Sequence, residues 1–290
     1  MYDFQAGDME GYKWDMLLRF QLIEVIAYWE GRVSATHLMN SFNIGRQQAS
    51  QIIKQYMNAI APENLEYDSH LKGFKPTHSF KPKVSSGMAD EYLHLISQKK
   101  DMAHIFTSLD LNFAHTEIIS PVRRYVNPLI LRSIVNAVRL GERIDIGYVS
   151  VNNPDIDGRI IAPHSLVCTE NRWHVRAFCE KNQDYRDFVL SRFRGVPDLM
   201  GESTNRKKHD SAWTKKIELR ISPDPRLDAY QQEVIAHDYG MDDNILKVPC
   251  RAALLQYVLQ AYRINLHKHE DKPEAQQIVI TNYLEIEEWL

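Results

Sequence analysis

The chain has 290 residues, 44% hydrophobic and 25% charged, which is the composition of an ordinary globular protein of about two domains. Its net charge of −3 shows no overall basic character of the kind that many nucleic-acid-binding proteins have, although a local basic surface is compatible with it. No signal peptide, no run of 18 apolar residues and no C-x-x-C spacing among Cys168, Cys179 and Cys250 is present, which predicts a cytoplasmic protein with reduced thiols.

Residues 12–83 predict three helices followed by a short hairpin. The apolar segment from Trp14 to Trp29 predicts a mostly buried first helix. A second helix is predicted from an N-cap at Ser34 to Phe42. A tight turn follows, in which Gly45 is expected to adopt a left-handed conformation, and a third helix is predicted from Arg46 to Ile60.

The predicted third helix has one apolar and one polar face. Residues at three- and four-residue spacing form the apolar stripe: Ala49, Ile52, Ile53, Tyr56, Met57 and Ile60. The opposite face has no acidic residue and carries side chains that bind base edges and phosphates: Arg46, Gln47, Ser50, Gln51, Lys54, Gln55 and Asn58. A small helical domain with a solvated polar face would show the same pattern, so the face alone favours DNA binding without requiring it.

The segment after this helix predicts two short strands around a Lys72–Gly73 turn, ending in basic residues. A helix-turn-helix followed by a basic hairpin is typical of winged helix domains, in which one helix enters the major groove and the wing lies beside the backbone. The candidate residues for binding double-stranded DNA are Arg46, Gln47, Ser50, Gln51, Lys54, Lys72 and Lys75.

Residues 84–127 are predicted to be a connector with one helix in its first half. Asn127 and Pro128 then form an N-cap and first turn, so another helix begins there. Its apolar stripe, which is expected to pack on the strands that follow, consists of Leu131, Ile134, Val135 and Val138.

Four predicted strands between 144 and 194 place Tyr, Ser, Arg and His side chains on a sheet surface: IDIGYVSV, GRIIAPHSL, RWHVRAFC and RDFVLSRFR. Alternation puts His174, Arg176 and Phe178 on one face, and Tyr148 and Ser150 share one face of an earlier strand. No acid stands at those positions, so an anionic ligand would satisfy these donors. Each residue also has a structural interpretation.

The structural interpretations concern pairing and packing. Arg159 and Arg192 would pair with Asp145 or Asp187, and the histidines would be ordinary half-buried side chains. Trp173 is predicted to pack in the core.

These strands resemble the WYL domain of bacterial transcriptional regulators. Of the tripeptide that gives the domain its name, only Trp173 is kept, and His174 and Val175 occupy the other two places. The segments APHSLV and RWHVRAF are similar to those of BrxR/CapW-type regulators, which are found in phage-defence islands. The resemblance implies a winged helix-turn-helix at 1–83 and a small Sm-like β-barrel that senses an effector at 128–200.

The resemblance also implies a set of effector-binding residues: Tyr148, Ser150, Arg159, His164, His174, Arg176, Arg192 and Arg194. The implied effector is anionic, either a nucleotide or a short single-stranded nucleic acid.

Residues 196–212 are polar and rich in turn-forming residues, which predicts a linker. Strands and helices alternate after it, so 209–290 is expected to be an α+β domain, and the resemblance assigns it to dimerisation. The predicted fold class of the whole chain is α+β.

Enzyme motifs such as H-E-x-x-H, the Walker A loop, G-x-S-x-G and G-x-G-x-x-G are absent from the sequence, so neither an enzyme nor a cofactor is predicted. The segment LHKHE at 266–270 lacks further metal ligands and is expected to be an exposed loop. The predicted function is a homodimeric repressor of a phage-defence operon that binds a palindromic operator. Two alternatives stay open: an accessory protein that stimulates a nuclease partner, and a nucleotide-processing enzyme.

Overall fold

The computed structural model describes residues 11–102, 117, 119, 124–151, 157–169, 172–266 and 272–290, without the side chains of 98–102. The chain divides into two compact units, Met1–Ser120 and Pro121–Leu290. Both units combine helices with antiparallel strands, so the predicted α+β class is confirmed.

The first unit begins with three helices: α1 (Trp14–Glu30), α2 (Ala35–Phe42) and α3 (Arg46–Gln55). The predicted third helix continues to Ile60, but its last residues, Tyr56–Ile60, form a π-helical turn in which Ala61 N donates to the Tyr56 carbonyl. A later helix, α4 (Ala89–Met102), falls inside the predicted connector, most of whose remaining residues lie outside the described part of the chain.

The turn between α2 and α3 differs from the prediction at Gly45. Gly45 is extended, with φ −69°, and is the N-cap residue of α3. The left-handed residue is Asn43, with φ 49°. Asparagine is one of the few residues whose short polar side chain tolerates this conformation, so the expected left-handed turn forms two residues earlier.

The core of the first unit is formed by the apolar sides of α1, α2 and α3, with Phe20, Leu38 and Tyr56 fully buried. The carboxylate of Glu24 is buried in this core and accepts five hydrogen bonds. Its donors are the Tyr56 hydroxyl, the backbone amides of residues 83–85 and the Ser85 hydroxyl. One acid therefore joins α1, the π-helical turn Tyr56–Ile60 and the chain after the wing.

The predicted hairpin is present as β1 (Leu65–Asp68) and β2 (Gly73–Pro76), with Lys72 at φ 50° in the turn. Phe74 of β2 also exchanges two backbone hydrogen bonds with Val33, each 2.8 Å long. The wing is therefore attached to the segment between α1 and α2.

The second unit begins with α5 (Pro128–Leu140), whose N-cap Asn127 accepts a hydrogen bond from Leu129 N as predicted. A five-stranded antiparallel sheet follows with the strand order β6-β5-β4-β3-β7. The strands are β3 (Glu142–Tyr148), β4 (Asp157–Thr169), β5 (Arg172–Cys179), β6 (Asp184–Val189) and β7 (Phe193–Glu202).

This sheet curls until its edges meet. In a flat sheet, β6 and β7 would lie four strand spacings apart, or about 19 Å. Instead, the rings of Phe188 in β6 and Phe193 in β7 are 6.1 Å apart, and Tyr148 of β3 packs 5.1 Å from each. Side chains of α5 contribute to the same core. The predicted small barrel is therefore confirmed.

Three strand predictions need correction. The segment RDFVLSRFR is not one strand, because the 3-10 turn Leu190–Arg192 separates β6 from β7. Ser150 does not share a strand face with Tyr148, because β3 ends at Tyr148. Trp173 is 49% exposed and does not pack in the core, because it lies near the end of β5 beyond the enclosed residues Val175, Ala177 and Cys179.

The predicted linker at 196–212 is largely structured. Strand β7 extends to Glu202, and the short helix α6 (Ser211–Thr214) is capped by the buried side chain of Asp210. Strands β8 (Lys216–Pro223), β9 (Leu246–Arg251) and β10 (Ile278–Ile280) then form an antiparallel sheet in the order β10-β8-β9.

Three helices alternate along the chain with the strands of this last sheet: α7 (Ala229–Asp238), α8 (Leu255–Ala261) and α9 (Tyr283–Ile286). The alternation of strands and helices predicted for this region is confirmed. Of the segment 266–270, only Leu266 lies among the described residues.

Candidate nucleic-acid interface and ligand site

The polar face of α3 is open to solvent. Arg46, Gln47, Gln51 and Lys54 are exposed and Ser50 is half-buried, while Ala49, Ile52 and Ile53 on the opposite face are buried. Within the described ranges, no carboxylate lies at ion-pair distance from Arg46 or Lys54. This face therefore presents two cations, Arg46 and Lys54, and the side-chain amides of Gln47 and Gln51. No described acidic side chain would compete with a nucleic acid for the two cations.

The two predicted wing lysines differ in their surroundings. Lys75 Nζ lies 3.2 Å from Glu66 and 3.3 Å from Asp68, and hydrogen bonds to these carboxylates raise its pKa. Lys72 is exposed at the tip of the hairpin and has no ion pair with any described residue. Of the two, Lys72 is the one whose charge is free for a phosphate.

In the second unit, Arg176 has acidic partners that its own strand does not reveal. Its Nε donates to Asp210 Oδ2 at 2.7 Å and its Nη2 to Asp210 Oδ1 at 3.1 Å. Asp187 on β6 adds a third contact, from Nη1 to Oδ2 at 3.5 Å. The expectation of a face without matching acids is wrong at Arg176, because one acid comes from the neighbouring strand and the other from beyond the barrel.

The charges of this cluster are tightly coupled. Burial alone would lower the pKa of Arg176, but the hydrogen bonds and charges of Asp210 and Asp187 raise it. Burial would likewise raise the pKa of Asp210, but Arg176 holds it below its usual range. Asp187, for which burial outweighs Arg176, has a raised pKa. Arg176 and Asp210 are therefore a charged pair at neutral pH.

His164 reaches the same cluster through a β-bulge. The register between β4 and β5 shifts between Pro163 and Ser165, which leaves His164 as the extra residue, and a bulge re-aims the side chain it carries. Its Nε2 lies 3.2 Å from Asp210 Oδ2, and its Nδ1 lies 2.9 Å from the Ser165 hydroxyl. Burial lowers the pKa of His164 in spite of the nearby Asp210.

His174 occupies the next position on the same face of β5 and is only 4% exposed. Its ring lies 5.0 Å from that of Tyr257, and its Nδ1 has no hydrogen-bond partner. Burial, together with the charges of Arg172, Arg192 and Arg124, lowers its pKa to about 4. His174 is therefore neutral at physiological pH and lies in a positive environment.

The other predicted ligand residues are spread over the barrel. Tyr148 lies in the core, where its hydroxyl accepts a hydrogen bond from Val189 N at 3.2 Å. Arg159 pairs with Asp157 at 3.0 Å, and not with Asp145 or Asp187. Arg194 donates to the carbonyls of Ser191 and Phe193.

Arg159 is also distant along β4 from the position opposite His174. Val167 is the residue opposite His174, and it is separated from Arg159 by roughly 26 Å of strand. The structure thus brings His164 and Arg176 together around Asp210, with His174 next on the same face of β5, while Arg159 lies apart.

Asp210 and Tyr257 are site residues that the sequence reasoning did not single out. Asp210 joins Arg176 and His164 and also caps α6 through Trp213 N. The Tyr257 hydroxyl donates to Asp187 Oδ2 at 3.2 Å. The sequence signal for Asp210 was local: an acid directly before Ser-Ala-Trp is a good N-cap.

Two negative findings concern the described part of the chain. No helix in it is both long enough and apolar enough to cross a membrane. Likewise, these residues include no group of three or more His, Cys, Asp or Glu side chains placed to hold a metal ion.

Three family models match in domain order. Residues 15–98 match the winged helix-turn-helix domain of the BrxR transcriptional regulator, 129–197 match the WYL domain, and 216–286 match the C-terminal dimerisation domain of BrxR. Each model covers the part of the chain in which the corresponding strands and helices are found.

Curated relatives match over nearly the whole chain. The chain is 31% identical to the DNA-binding transcriptional repressor CapW of Pseudomonas aeruginosa, over 96% of this chain and 93% of that protein. It is 31% identical to CapW of Escherichia coli (strain KTE188), over 98% and 94%, and 27% identical to CapW of Stenotrophomonas maltophilia, over 96% and 93%. With matching domains in the same order and full-length relatives above 30% identity, this chain belongs to the CapW/BrxR family of transcriptional regulators.

Proposed function

We propose that this protein is a homodimeric DNA-binding repressor of a phage-defence operon, and that its barrel domain senses an anionic effector. The main support for DNA binding is the exposed, acid-free face of α3. The opposite, apolar face of this helix is fully buried. Gln47, Ser50 and Gln51 in its N-terminal half suit base edges, while Arg46, Lys54 and Lys72 suit phosphates. The named function of the CapW relatives supports the repressor role.

We expect a homodimer because the contact surface of a single winged helix domain is small. One winged helix buries too little surface for tight, specific binding, so two copies on an inverted repeat are expected, about one helical turn or a multiple apart. The match of 216–286 to a dimerisation domain supports this assembly.

The site supports binding better than it supports catalysis. The Arg176 guanidinium is held by two carboxylates, and Asp210 holds His164 as well, so these groups are engaged in structural contacts. A nucleotide-processing enzyme needs a base with access to the bound substrate. Among the described residues, His164 and Asp210 are engaged with each other, and His174, whose Nδ1 is unpaired, is only 4% exposed. The accessory protein that stimulates a nuclease would have no need of the acid-free recognition helix.

An effector would act by replacing an internal ligand. The Asp210 carboxylate binds Arg176 in the bidentate geometry that an anionic ligand would also adopt. A phosphate or carboxylate at Arg176 must therefore displace Asp210. Because Asp210 also caps α6, which leads directly into β8, its release would alter the start of the C-terminal domain.

The energy required for such a switch is small. A tenfold shift between DNA-binding and released forms needs about 1.4 kcal/mol of differential binding, which one charge-assisted hydrogen bond supplies. The variant Asp210→Asn removes the charge that competes with the effector for Arg176, and it keeps a side chain of nearly the same volume. We expect this variant to respond to effector at lower concentration than the native protein.

A promoter–reporter fusion in cells tests the proposal. The reporter carries the promoter of the operon that encodes the protein, and expression is compared in cells with the native protein, with none, and with the double variant Gln47→Ala/Gln51→Ala. We expect low expression with the native protein and high expression in the other two strains. Equal expression in all three would contradict repression at that promoter, and low expression with the double variant would contradict the assigned reading residues.

A further inference from the structure

A groove of about 450 Å³ lies between the paired ends of β4 and β5 and helix α8 of the C-terminal sheet. Val167 and Cys168 line it from β4, Arg172 lines it from β5, and Leu254, Tyr257 and Val258 line it from the other side. This volume lies within the range of sites for small molecules. None of the residues assigned above to effector binding lines the groove.

The groove has a positive charge that no described residue compensates. Within the described part of the chain, Arg172 has no carboxylate at ion-pair distance. Arg172 also lies near the buried ring of His174, as do Arg124 and Arg192. Asp187, the acid that accepts a hydrogen bond from the lining residue Tyr257, is also engaged by Arg176. An anion would therefore meet a cation that has no competitor among the described residues, in contrast to Arg176.

One unsatisfied polar atom lies next to the groove. His174 is 4% exposed, and its Nδ1 is buried without a partner. Buried polar atoms usually have a partner, and an exception calls for a ligand or a water molecule. His174 contacts Tyr257, a lining residue of the groove, at a ring distance of 5.0 Å.

The remaining walls fit a flat apolar group. The Tyr257 ring is held in place by its hydroxyl, which donates to Asp187 at 3.2 Å. Val167, Leu254 and Val258 supply aliphatic surface beside it. A fixed aromatic ring among aliphatic side chains suits the stacking of another planar ring.

We propose that this groove is a binding site for a small planar aromatic anion, with its acidic group on Arg172 and its ring against Tyr257 and Val258. The lining of the groove contains none of the effector residues assigned above, and the site does not involve operator binding through α3. Because Tyr257 also contacts Asp187, an occupied groove would stiffen the contact between barrel and C-terminal sheet.

Titration of the full-length protein with 8-anilinonaphthalene-1-sulfonate, a fluorescent anion that carries a planar naphthalene ring, tests the proposal. We expect one saturable site per chain. Arg172→Gln should weaken binding about tenfold, the effect of losing one charge-assisted contact. Val258→Trp should fill the groove and abolish binding. Arg139→Gln, the same change at an exposed arginine of α5, is the matched control and should leave the affinity unchanged.

The cysteines locate the probe independently of any variant. Cys168 lines the groove and is exposed, whereas Cys250 is half-buried and is not among the lining residues. Saturating probe should slow alkylation of Cys168 by N-ethylmaleimide at least fivefold in the native protein and leave Cys250 unaffected, as measured by peptide mass spectrometry.

The proposal is overturned if Arg172→Gln binds the probe as tightly as the native protein, or if Cys168 is not protected. A third outcome would also overturn the proposal: Arg172→Gln loses binding, but a folded Val258→Trp binds the probe with unchanged affinity. The anion would then bind on the surface and not in the groove. The operator affinity of Arg172→Gln should equal that of the native protein, so a failure here is distinguishable from a failure of DNA binding.

Discussion

Arg176 and Asp210 are 34 residues apart in the chain and form a buried bidentate ion pair, with donor–acceptor distances of 2.7 and 3.1 Å. Arg176 is 8% exposed and Asp210 is 1% exposed. The pair joins the barrel to the first residues of the C-terminal domain. It also changes what a substitution at Arg176 is expected to do.

From the strand pattern alone, Arg176→Ala would spare the fold and affect only effector sensing. The ion pair reverses that expectation, because the substitution leaves the buried carboxylate of Asp210 and the half-buried carboxylate of Asp187 without their cation. We expect Arg176→Ala to lower the free energy of unfolding by about 3–5 kcal/mol, as measured by urea denaturation. The matched double variant Arg176→Met/Asp210→Asn should recover a large part of that loss. A loss below about 1 kcal/mol in the single variant would mean that the pair contributes little.

Glu24 offers the corresponding test in the first unit. Its carboxylate accepts five hydrogen bonds in a fully buried position. Glu24→Gln replaces one oxygen with an amide group that faces donors, so we expect a loss of about 3 kcal/mol of unfolding free energy. The control, Glu63→Gln, changes an exposed acid and should cost less than about 0.5 kcal/mol. Equal midpoints for the two variants would contradict a structural role of Glu24.

His174 predicts a pH dependence of stability. Its pKa is about 4 in the folded protein against 6.5 normally, so the unfolded chain takes up a proton first as the pH falls. The contribution of His174 to the free energy of unfolding is fully present above pH 6.5, and it is lost as the pH falls towards 4. Between pH 7 and pH 5 we expect the native protein to lose about 2 kcal/mol more than His174→Phe, in which the ring remains but cannot titrate. The same loss in both proteins would show that His174 is not buried in its neutral form.

We expect helix α7 of the C-terminal domain to form part of the dimer contact. Within the region that matches the dimerisation domain, Tyr230 and Val234 of α7 are 75% and 48% exposed and lie one helical turn apart. We expect the native protein to have twice the 33.8 kDa chain mass by light scattering, and Tyr230→Asp/Val234→Asp to be monomeric. Glu233→Gln, at an exposed neighbouring position, is the control. A double variant that remains dimeric would move the contact away from α7.

Sequence patterns predicted the local structure of this chain well. Apolar periodicity and N-cap residues gave α1, α2, α3 and α5 to within a few residues, because these signals depend on neighbours in the chain. The sequence did not reveal the π-helical end of the third helix, which depends on the backbone hydrogen bond between Ala61 and Tyr56.

Contacts between distant residues were the part that sequence could not supply. Asp210 lies in a segment whose polar composition predicts a linker, and only the three-dimensional fold places it on Arg176 and His164. Trp173 was predicted to be buried because of its residue type, yet its place at the end of β5 leaves it 49% exposed. Six of the eight predicted ligand residues lie on barrel strands, whereas Ser150 and Arg192 do not, and which of them meet depends on the register of β4 and β5.

The central claim is that α3 reads DNA through its acid-free face. Binding-site selection from random DNA with the purified protein, followed by affinity measurements on the selected site and on random DNA, tests it most directly. We predict that an inverted repeat is enriched and that Gln51→Ala loses about 1–3 kcal/mol of affinity for it, with little loss on random DNA. Lys54→Ala should weaken binding to both and reduce the salt dependence. Gln183→Ala, at an exposed glutamine outside α3, should bind as the native protein does. No enriched sequence, or equal losses for Gln51→Ala on selected and random DNA, would contradict the account.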